Sequence, residues 1–168
     1  MSDRADSRAP VSVSPATERD VAEVHGLMAA CEREGITIGH YAGDEAYLRG
    51  LLAELFFVAR DSRRIVGFVC ARIVGNPGYA VMPTARRVLD IEELYVRPHA
   101  RGRGVGTALV EAVLQKARGH GVRAFHVFSA SRNTEEVLRF YRRHGFEPWG
   151  VQMYLAQTDE SRTEPTDG

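Results

Sequence analysis

Between Leu89 and Leu109 the chain reads LDIEELYVRPHARGRGVGTAL, in which an apolar, β-branched run typical of a strand is followed by an apolar repeat typical of a helix. Gly102, Gly104 and Gly106 fall where the strand ends and the helix begins. Glycine adopts positive φ and lets the backbone approach a ligand closely, and the first amides of a helix have no partner within it. The stretch therefore predicts a strand, a turn that can hold an anion, and a helix.

Two common nucleotide-binding motifs do not fit this turn, which disfavours an ATP- or NAD-binding domain. The Walker loop ends in Gly-Lys-Ser/Thr, whereas Gly106 is followed by Thr107 and Ala108. The motif G-x-G-x-x-G would need its third glycine at Thr107 or Leu109, and residues 122–131 lack the carboxylate that should follow it. On these residues alone two interpretations stay open: a tight turn shaped by glycine, or a phosphate cradle.

The flanking residues favour the cradle, because the whole stretch resembles the coenzyme A motif of the GNAT (GCN5-related N-acetyltransferase) family. The family's loop reads Gln/Arg-x-x-Gly-x-Gly/Ala, and Arg101, Gly104 and Gly106 match it. Downstream, residues 140–146 read FYRRHGF and resemble the family's closing helix and turn. The resemblance implies an α/β (α+β) fold with a mixed, mainly antiparallel central sheet of about six to seven strands flanked by helices, in which the parallel fourth and fifth strands splay apart.

The resemblance also implies acetyl-CoA as the co-substrate. The residues it places around the pyrophosphate are Arg101, Gly102, Arg103, Gly104, Val105, Gly106 and Thr107. The backbone amides of this loop are the expected ligands. For Arg101 and Arg103, added charge at the rim and simple solvent exposure are equal alternatives.

Two further cofactor contacts follow from the resemblance. Leu94, Tyr95 and Val96 are implicated in pairing with the pantetheine arm, and a main-chain amide there would stabilise the oxyanion of acyl transfer. Asn133 resembles a cofactor contact after the fifth strand. Because Glu136 follows it at capping-box spacing, Asn133 is also predicted to cap the last helix.

Three side chains are candidates for the chemistry. Tyr141, in the last turn of the closing helix, is the candidate acid for the departing thiolate, with a packed aromatic as the alternative. Glu92 and Glu93 are candidates for the base that takes a proton from an ammonium, and strand alternation predicts them on opposite faces, with Asp90 on the face of Glu92. The alternative for each acid is an ordinary surface charge, and the cluster would also attract a cationic amine.

Composition limits the class of protein. The chain has 168 residues, with 22 basic and 22 acidic side chains, which fits one domain with its own core and no nucleic-acid partner. It contains no apolar run of membrane length, and its first residues are polar, so we expect a cytoplasmic protein with no membrane partner. Cys31 and Cys70 fit reduced core thiols, and the histidines lack metal-ligand spacing, so no metal is expected.

The predicted domain spans residues 11–156, between flexible tails at residues 1–10 and 157–168. Helices are expected to start at Thr17, Asp44 and Asn133 and to span residues 107–118 after the glycine loop, the first ending at Gly35 and the last at Gly145. Strands are expected at residues 11–14, 56–60, 65–73, 88–96, 122–128, 146–148 and 151–155, with a long loop at residues 74–87.

Together these features predict an N-acetyltransferase that moves an acetyl group from acetyl-CoA to a primary amine of a small molecule or peptide, by direct attack in a ternary complex. The alternative is a non-catalytic acyl-CoA-binding sensor or regulatory module, for which the loop alone suffices. Family members are often dimers, so a homodimer is compatible with the resemblance. Residues 32–52 and 74–87, where the family varies its acceptor site, carry no readable motif, and the acceptor stays open.

Overall fold

Strands of the chain form one five-stranded mixed sheet in the computed structural model, which describes residues 11–39, 41–52, 55–62 and 64–153. The strands are β1 (Val11–Pro15), β2 (Leu55–Asp61), β3 (Arg64–Gly75), β4 (Arg87–Val96) and β5 (Phe125–Val127). They lie in chain order, and neighbours are antiparallel except β4 and β5, which are parallel. This confirms the predicted α+β fold with a mixed sheet and parallel fourth and fifth strands.

The helices are α1 (Val21–Glu34), α2 (Glu45–Leu51), α3 (Val105–Gly119) and α4 (Thr134–Arg142). Thr17 starts a 3₁₀ turn over Glu18–Asp20, so α1 begins later than the capping signal predicts. α1 ends at Gly35, which takes a positive φ of 61° as predicted for a helix terminus. A second 3₁₀ turn, Pro98–Ala100, follows β4.

Six to seven strands were expected, and the described residues form five. Residues 146–148 are not a strand, and the strand expected at residues 151–155 is absent as far as Met153, beyond which it lies outside the described residues. Pro148 has no amide to donate to a ladder and Gly150 favours no extended conformation, which explains why this stretch does not pair. The predicted tails, residues 1–10 and 157–168, also lie outside the described residues.

The sheet separates two apolar cores. α3 covers one face, with a core that includes Val69, Leu89, Ile91, Leu109 and Val113. α1 and α2 cover the other face, with a core that includes Val24, Leu27, Leu48, Phe68 and Cys70. From Phe68 to Ala71 successive residues of β3 enter alternate cores, and each fully buried aliphatic side chain contributes about 1.5–3 kcal/mol.

Cys31 and Cys70 are buried free thiols, as predicted. Within the described ranges, no helix is both long and apolar enough to cross a membrane. The same ranges contain no group of three or more His, Cys, Asp or Glu side chains that could hold a metal ion.

The long connection between β3 and β4 is organised by one side chain. Asn76 Oδ1 accepts hydrogen bonds from the amides of Gly78 and Tyr79 at 3.0 and 2.9 Å. Its Nδ2 donates to the carbonyls of Met82 and Ala85, both at 2.9 Å. The side-chain amide of Asn76 thus connects both halves of the loop. This fixes the shape of the loop and the position of Tyr79 beside the sheet.

Candidate active site

The loop between β4 and α3 presents a row of unused backbone amides. Gly102 and Gly104 take positive φ of 72° and 77°, a conformation that favours glycine. In the described part of the chain, the amides of Gly102 and of residues 104–107 donate no hydrogen bond, and the first bond of α3 runs from Ala108 N to Gly104 O at 2.9 Å. Such a row, at the positive end of a helix dipole, suits a diphosphate.

Arg101 contacts the protein itself instead of standing free at the rim of this loop. Its Nη2 donates to Glu34 Oε2 at 2.8 Å and its Nε donates to Val96 O at 2.9 Å. The Tyr95 hydroxyl donates to the same Glu34 oxygen at 2.8 Å. The bond from Arg101, which outweighs partial burial, lowers the pKa of Glu34. Arg101 therefore connects the end of α1 to the start of the loop, a role that the sequence did not predict.

Arg103 is engaged in the same way. Its Nη1 donates to Asp61 Oδ2 at 2.8 Å, and only 16% of its side chain is exposed. Arg101 is thus the more exposed of the two, with 39% of its side chain accessible, and each guanidinium is paired with a carboxylate. The backbone amides remain the principal positive feature of the loop.

β4 and β5 part beside this loop. Their parallel pairing covers residues 89–91 and 125–127, whereas β4 continues to Val96. On their other side Leu94, Tyr95 and Val96 pair with β3. Their backbone groups on the β5 side have no strand partner in the described part of the chain, so an extended pantetheine arm can pair there.

Glu92 and Glu93 lie on the same face of the sheet, not on opposite faces as alternation predicted. A β-bulge interrupts the pairing with β3: Glu93 pairs with Cys70 and Ile91 with the next residue of β3, so Glu92 is the extra residue. Ile91 and Leu94 both belong to the α3-side core. The two acids between them therefore turn towards the α1–α2 side, and a strict period of two cannot reveal this.

Glu93 has a carboxyl group whose pKa is raised towards neutral pH. Burial and the charge of Glu92 raise its pKa to about 7, against the opposing effect of a hydrogen bond from Tyr47. Tyr47 lies on α2, where the sequence pattern indicated only a core residue. Glu92 lies 3.4 Å from Arg72 Nε. Of the two acids, Glu93 is the one suited to hold and release a proton near neutral pH.

Tyr141 lies on the other face of β4, in the α3-side core. Its ring packs edge-on against Phe140 and Phe146, with centroid separations of 5.0 and 5.4 Å. Burial raises its pKa to about 12, so the phenol stays protonated at neutral pH. Phe140 also holds α4 against the loop, because a Cβ added at Gly106 would lie 3.3 Å from its ring.

Asn133 caps α4, as predicted. Its Oδ1 accepts from Glu136 N at 3.3 Å and its Nδ2 donates to Glu136 Oε2 at 2.7 Å. Both polar atoms of the side chain are therefore used by the helix. Its contact with the cofactor stays a prediction.

Two residues of the site region were missed. His126 Nδ1 lies 2.9 Å from Asp90 Oδ1, and Tyr79 stacks on the imidazole at 4.6 Å between ring centroids. The only signal for the first contact is the parallel register, which pairs Asp90 with His126. No sequence pattern indicates Tyr79, whose position depends on the folding of the whole β3–β4 loop.

The connection between α1 and α2 is joined to the segment after β5. Thr37 and Ser131 form an isolated antiparallel bridge. Ile38 N donates to Ala130 O at 2.9 Å, and Arg132 N donates to Ile36 O at 2.8 Å. These hydrogen bonds form the boundary, on the α1–α2 side, of the region where β4 and β5 separate.

A mixed sheet whose parallel strands part beside a glycine-rich loop is the fold that the resemblance to the GNAT family implies. A model of the acetyltransferase (GNAT) family matches residues 18–146, which is more than half of the chain. The chain belongs to this family.

Individual relatives agree with this assignment. An uncharacterized N-acetyltransferase, MJ1207 of Methanocaldococcus jannaschii, is 34% identical over 92 residues, covering 55% of this chain and 38% of the relative, so the match spans well under two thirds of that protein. The aminoglycoside N-acetyltransferase AAC(6')-Iy in complex with CoA superposes with a TM-score of 0.69 at 21% identity, covering 89% of this chain and 95% of that one. A predicted acetyltransferase from Clostridium acetobutylicum with acetyl-CoA gives 0.67 at 18% identity, covering 88% and 96%. At these identities the two structures show the shared fold.

Proposed function

We propose that this chain is an N-acetyltransferase that moves an acetyl group from acetyl-CoA to a primary amine of a small molecule or peptide, by direct attack in a ternary complex. Family membership and the CoA-bound and acetyl-CoA-bound structures of the same fold support the donor. The observation that carries the proposal is the parting of β4 and β5 beside the amides of Gly102 and of residues 104–107, with Tyr141 on one face of β4 and Glu93 on the other.

The donor is held mainly by backbone. The amides of residues 102–107 converge on the pyrophosphate, and the helix dipole of α3 adds about 0.3–2 kcal/mol, depending on burial. Arg101 and Arg103 act indirectly, by fixing the loop through Glu34 and Asp61. The pantetheine arm pairs with the backbone of residues 94–96, and an amide there stabilises the oxyanion.

Two groups on opposite faces of β4 serve the chemistry. Tyr141, with its pKa of about 12, remains a protonated donor for the departing sulfur. Glu93, with its pKa of about 7, binds the incoming ammonium and can accept a proton from it. Glu92 adds negative potential on the same face, which attracts cationic amines.

The negative charge of Glu92 and Glu93 supports a cationic amine as the acetyl acceptor. A primary amine that is cationic in water fits a face carrying two adjacent carboxylates. The similar fold of an aminoglycoside acetyltransferase supports small, multiply charged amines as the first group to test. Peptide amines are the second group.

The test is release of free CoA thiol on incubation with acetyl-CoA and a panel of polyamines, aminoglycosides, amino acids and peptides. We expect release above background with at least one cationic amine, and a product heavier by one acetyl group in mass spectrometry. Calorimetric binding of acetyl-CoA with no transfer to any of these amines would instead select the non-catalytic binding module. Failure to bind acetyl-CoA would reject both functions.

A further inference from the structure

His126 and Asp90 form a hydrogen-bonded pair at the point where the cleft begins. They face each other across the parallel strands, one residue before the last pair, Ile91 and Val127. The separation of His126 Nδ1 from Asp90 Oδ1 is 2.9 Å. An ionised carboxylate only accepts hydrogen bonds, so Nδ1 carries the proton and, in the neutral ring, Nε2 holds the lone pair.

Both side chains lie on the face of the sheet that α1 and α2 cover. Leu89 and Ile91, the neighbours of Asp90, enter the α3-side core, and Phe125 and Val127, the neighbours of His126, pack against the same core. Alternation therefore turns Asp90 and His126 to the opposite face, which is also the face of Glu93.

The imidazole is fixed by an aromatic neighbour as well as by the carboxylate. The Tyr79 ring stacks on it with an interplanar angle of 28°, and Trp149 packs edge-on against Tyr79 at 5.3 Å. Tyr79 is itself held by its amide bond to Asn76. A histidine oriented on two sides, with its second nitrogen carrying a lone pair, has the arrangement used for proton transfer in enzymes.

We propose that His126 is the group that receives the proton of the acceptor ammonium, with Asp90 orienting the ring and stabilising the imidazolium, and with Tyr79 as a positioning residue. This assignment rests on the proposed acetyl transfer. It leaves Glu93, which is half-buried and hydrogen-bonded to Tyr47, to hold the ammonium in place.

The proton balance is complete. The ammonium gives one proton to His126 Nε2, and the neutral nitrogen attacks the thioester carbon, forming a C–N bond. Collapse of the adduct breaks the C–S bond, and the sulfur takes a proton from Tyr141. The second proton of the nitrogen replaces the one that Tyr141 gave, and the proton on His126 passes to water.

The charged surroundings of His126 define a pH experiment. The titratable and charged groups around His126 are Asp90 on β4, Tyr79 on the β3–β4 loop and Arg72, which pairs with Asp90 in the register of β3. The kcat/KM profile of the wild type and variants should be measured with the best acceptor from the panel. Loss of the proton acceptor changes its acidic limb, whereas a packing defect does not.

The decisive variant is His126→Asn, which keeps an amide to donate to Asp90 but has no basic nitrogen. We expect kcat to fall about 10²-fold or more, the acidic limb to change, and the KM for acetyl-CoA to stay within about twofold. Asp90→Asn should lower kcat with the same KM. Tyr79→Leu should lower kcat, whereas Tyr79→Phe, which keeps the stacked ring, should restore it. His120→Gln, at the exposed end of α3, is the matched control.

Three results would overturn the assignment. An active wild type whose kcat and pH profile are unchanged in His126→Asn rejects His126 and leaves the proposed function intact, with Glu93→Gln then expected to abolish the acidic limb. A neutral His126 that carries its proton on Nε2, read from its ring-nitrogen shifts in ¹⁵N NMR, rejects it without any need for turnover. A wild type that binds acetyl-CoA and acetylates no amine rejects both proposals.

Discussion

Arg101 Nη2 lies 2.8 Å from Glu34 Oε2 and thereby ties the C-terminal end of α1 to the loop that leads into α3. Tyr95 donates to the same oxygen, so one carboxylate joins a helix, a strand and a loop. The α1–α2 side of the site and the anion loop are therefore mechanically connected.

Replacement of Glu34 tests this connection. We expect Glu34→Gln to lower the free energy of unfolding by about 1 kcal/mol at about pH 7. Because the pKa of Glu34 is lowered in the folded state, its stabilisation is present above the carboxyl's ordinary pKa and is lost as the pH falls through the lowered one. Urea unfolding should therefore show a smaller difference at about pH 3. Equal differences at both pH values, or an equal loss in the exposed control Glu147→Gln, would contradict the pairing.

The positive φ of Gly104 predicts a loss of cofactor binding in Gly104→Ala. An added Cβ in this conformation costs about 1–2 kcal/mol, which shifts the loop away from the geometry that binds the diphosphate. Calorimetric titration with coenzyme A should show affinity reduced about 10-fold. In Gly119→Ala, within α3, the Cβ meets nothing within 4 Å, so this control should bind normally and gain up to about 1 kcal/mol of stability.

Tyr141→Phe separates the acid from the packed aromatic. Tyr141 is half-buried, and its hydroxyl makes no hydrogen bond to the residues that the structure describes, so its removal should leave the thermal midpoint nearly unchanged. We expect kcat to fall about 10²-fold with the affinity for acetyl-CoA intact. A lower thermal midpoint with unchanged kcat would make the residue structural.

The raised pKa of Glu93 suits the carboxyl group for proton transfer, but it lowers the stability of the folded state at higher pH. The folded state binds a proton more tightly than the unfolded state, so stability falls as the pH rises from the carboxyl's ordinary pKa to about 7. Glu93→Gln removes this penalty and should be more stable than the wild type at about pH 8, by on the order of 2 kcal/mol, with the difference vanishing below about pH 4. Unfolding across this range measures it, and a variant less stable at all pH values would show the carboxylate to be structural. Acetylation by the variant should be weaker.

Local patterns were sufficient for the elements that hold the donor. The strand, loop and helix around Gly104 depend on residues adjacent in the chain, and the cap at Asn133 depends on a spacing of three. The cap was predicted at the correct residue, and the helix expected over residues 107–118 spans Val105–Gly119. The same holds for the two buried cysteines, whose apolar neighbours are visible in the sequence.

Contacts between distant segments could not be predicted in this way. The shared face of Glu92 and Glu93 depends on an inserted residue that only the pairing with β3 reveals. The contact of Tyr79 with His126 depends on how Asn76 folds an irregular loop. Arg101 matched a family pattern and Arg103 lies beside it in the loop. Their partners, Glu34 and Asp61, belong to α1 and β2, which are distant from the loop in sequence.

The extra residue in β4 has a consequence for how such a site can arise or be lost. Without Glu92 the strand would alternate regularly from Ile91 to Val96, every core side chain would keep its place, and the added twist of the bulge would disappear. A straighter β4 could then follow β5 further, and the gap between them would close into continuous sheet. We therefore expect deletion of this one residue to favour continued pairing of β4 with β5 and to narrow the gap between them.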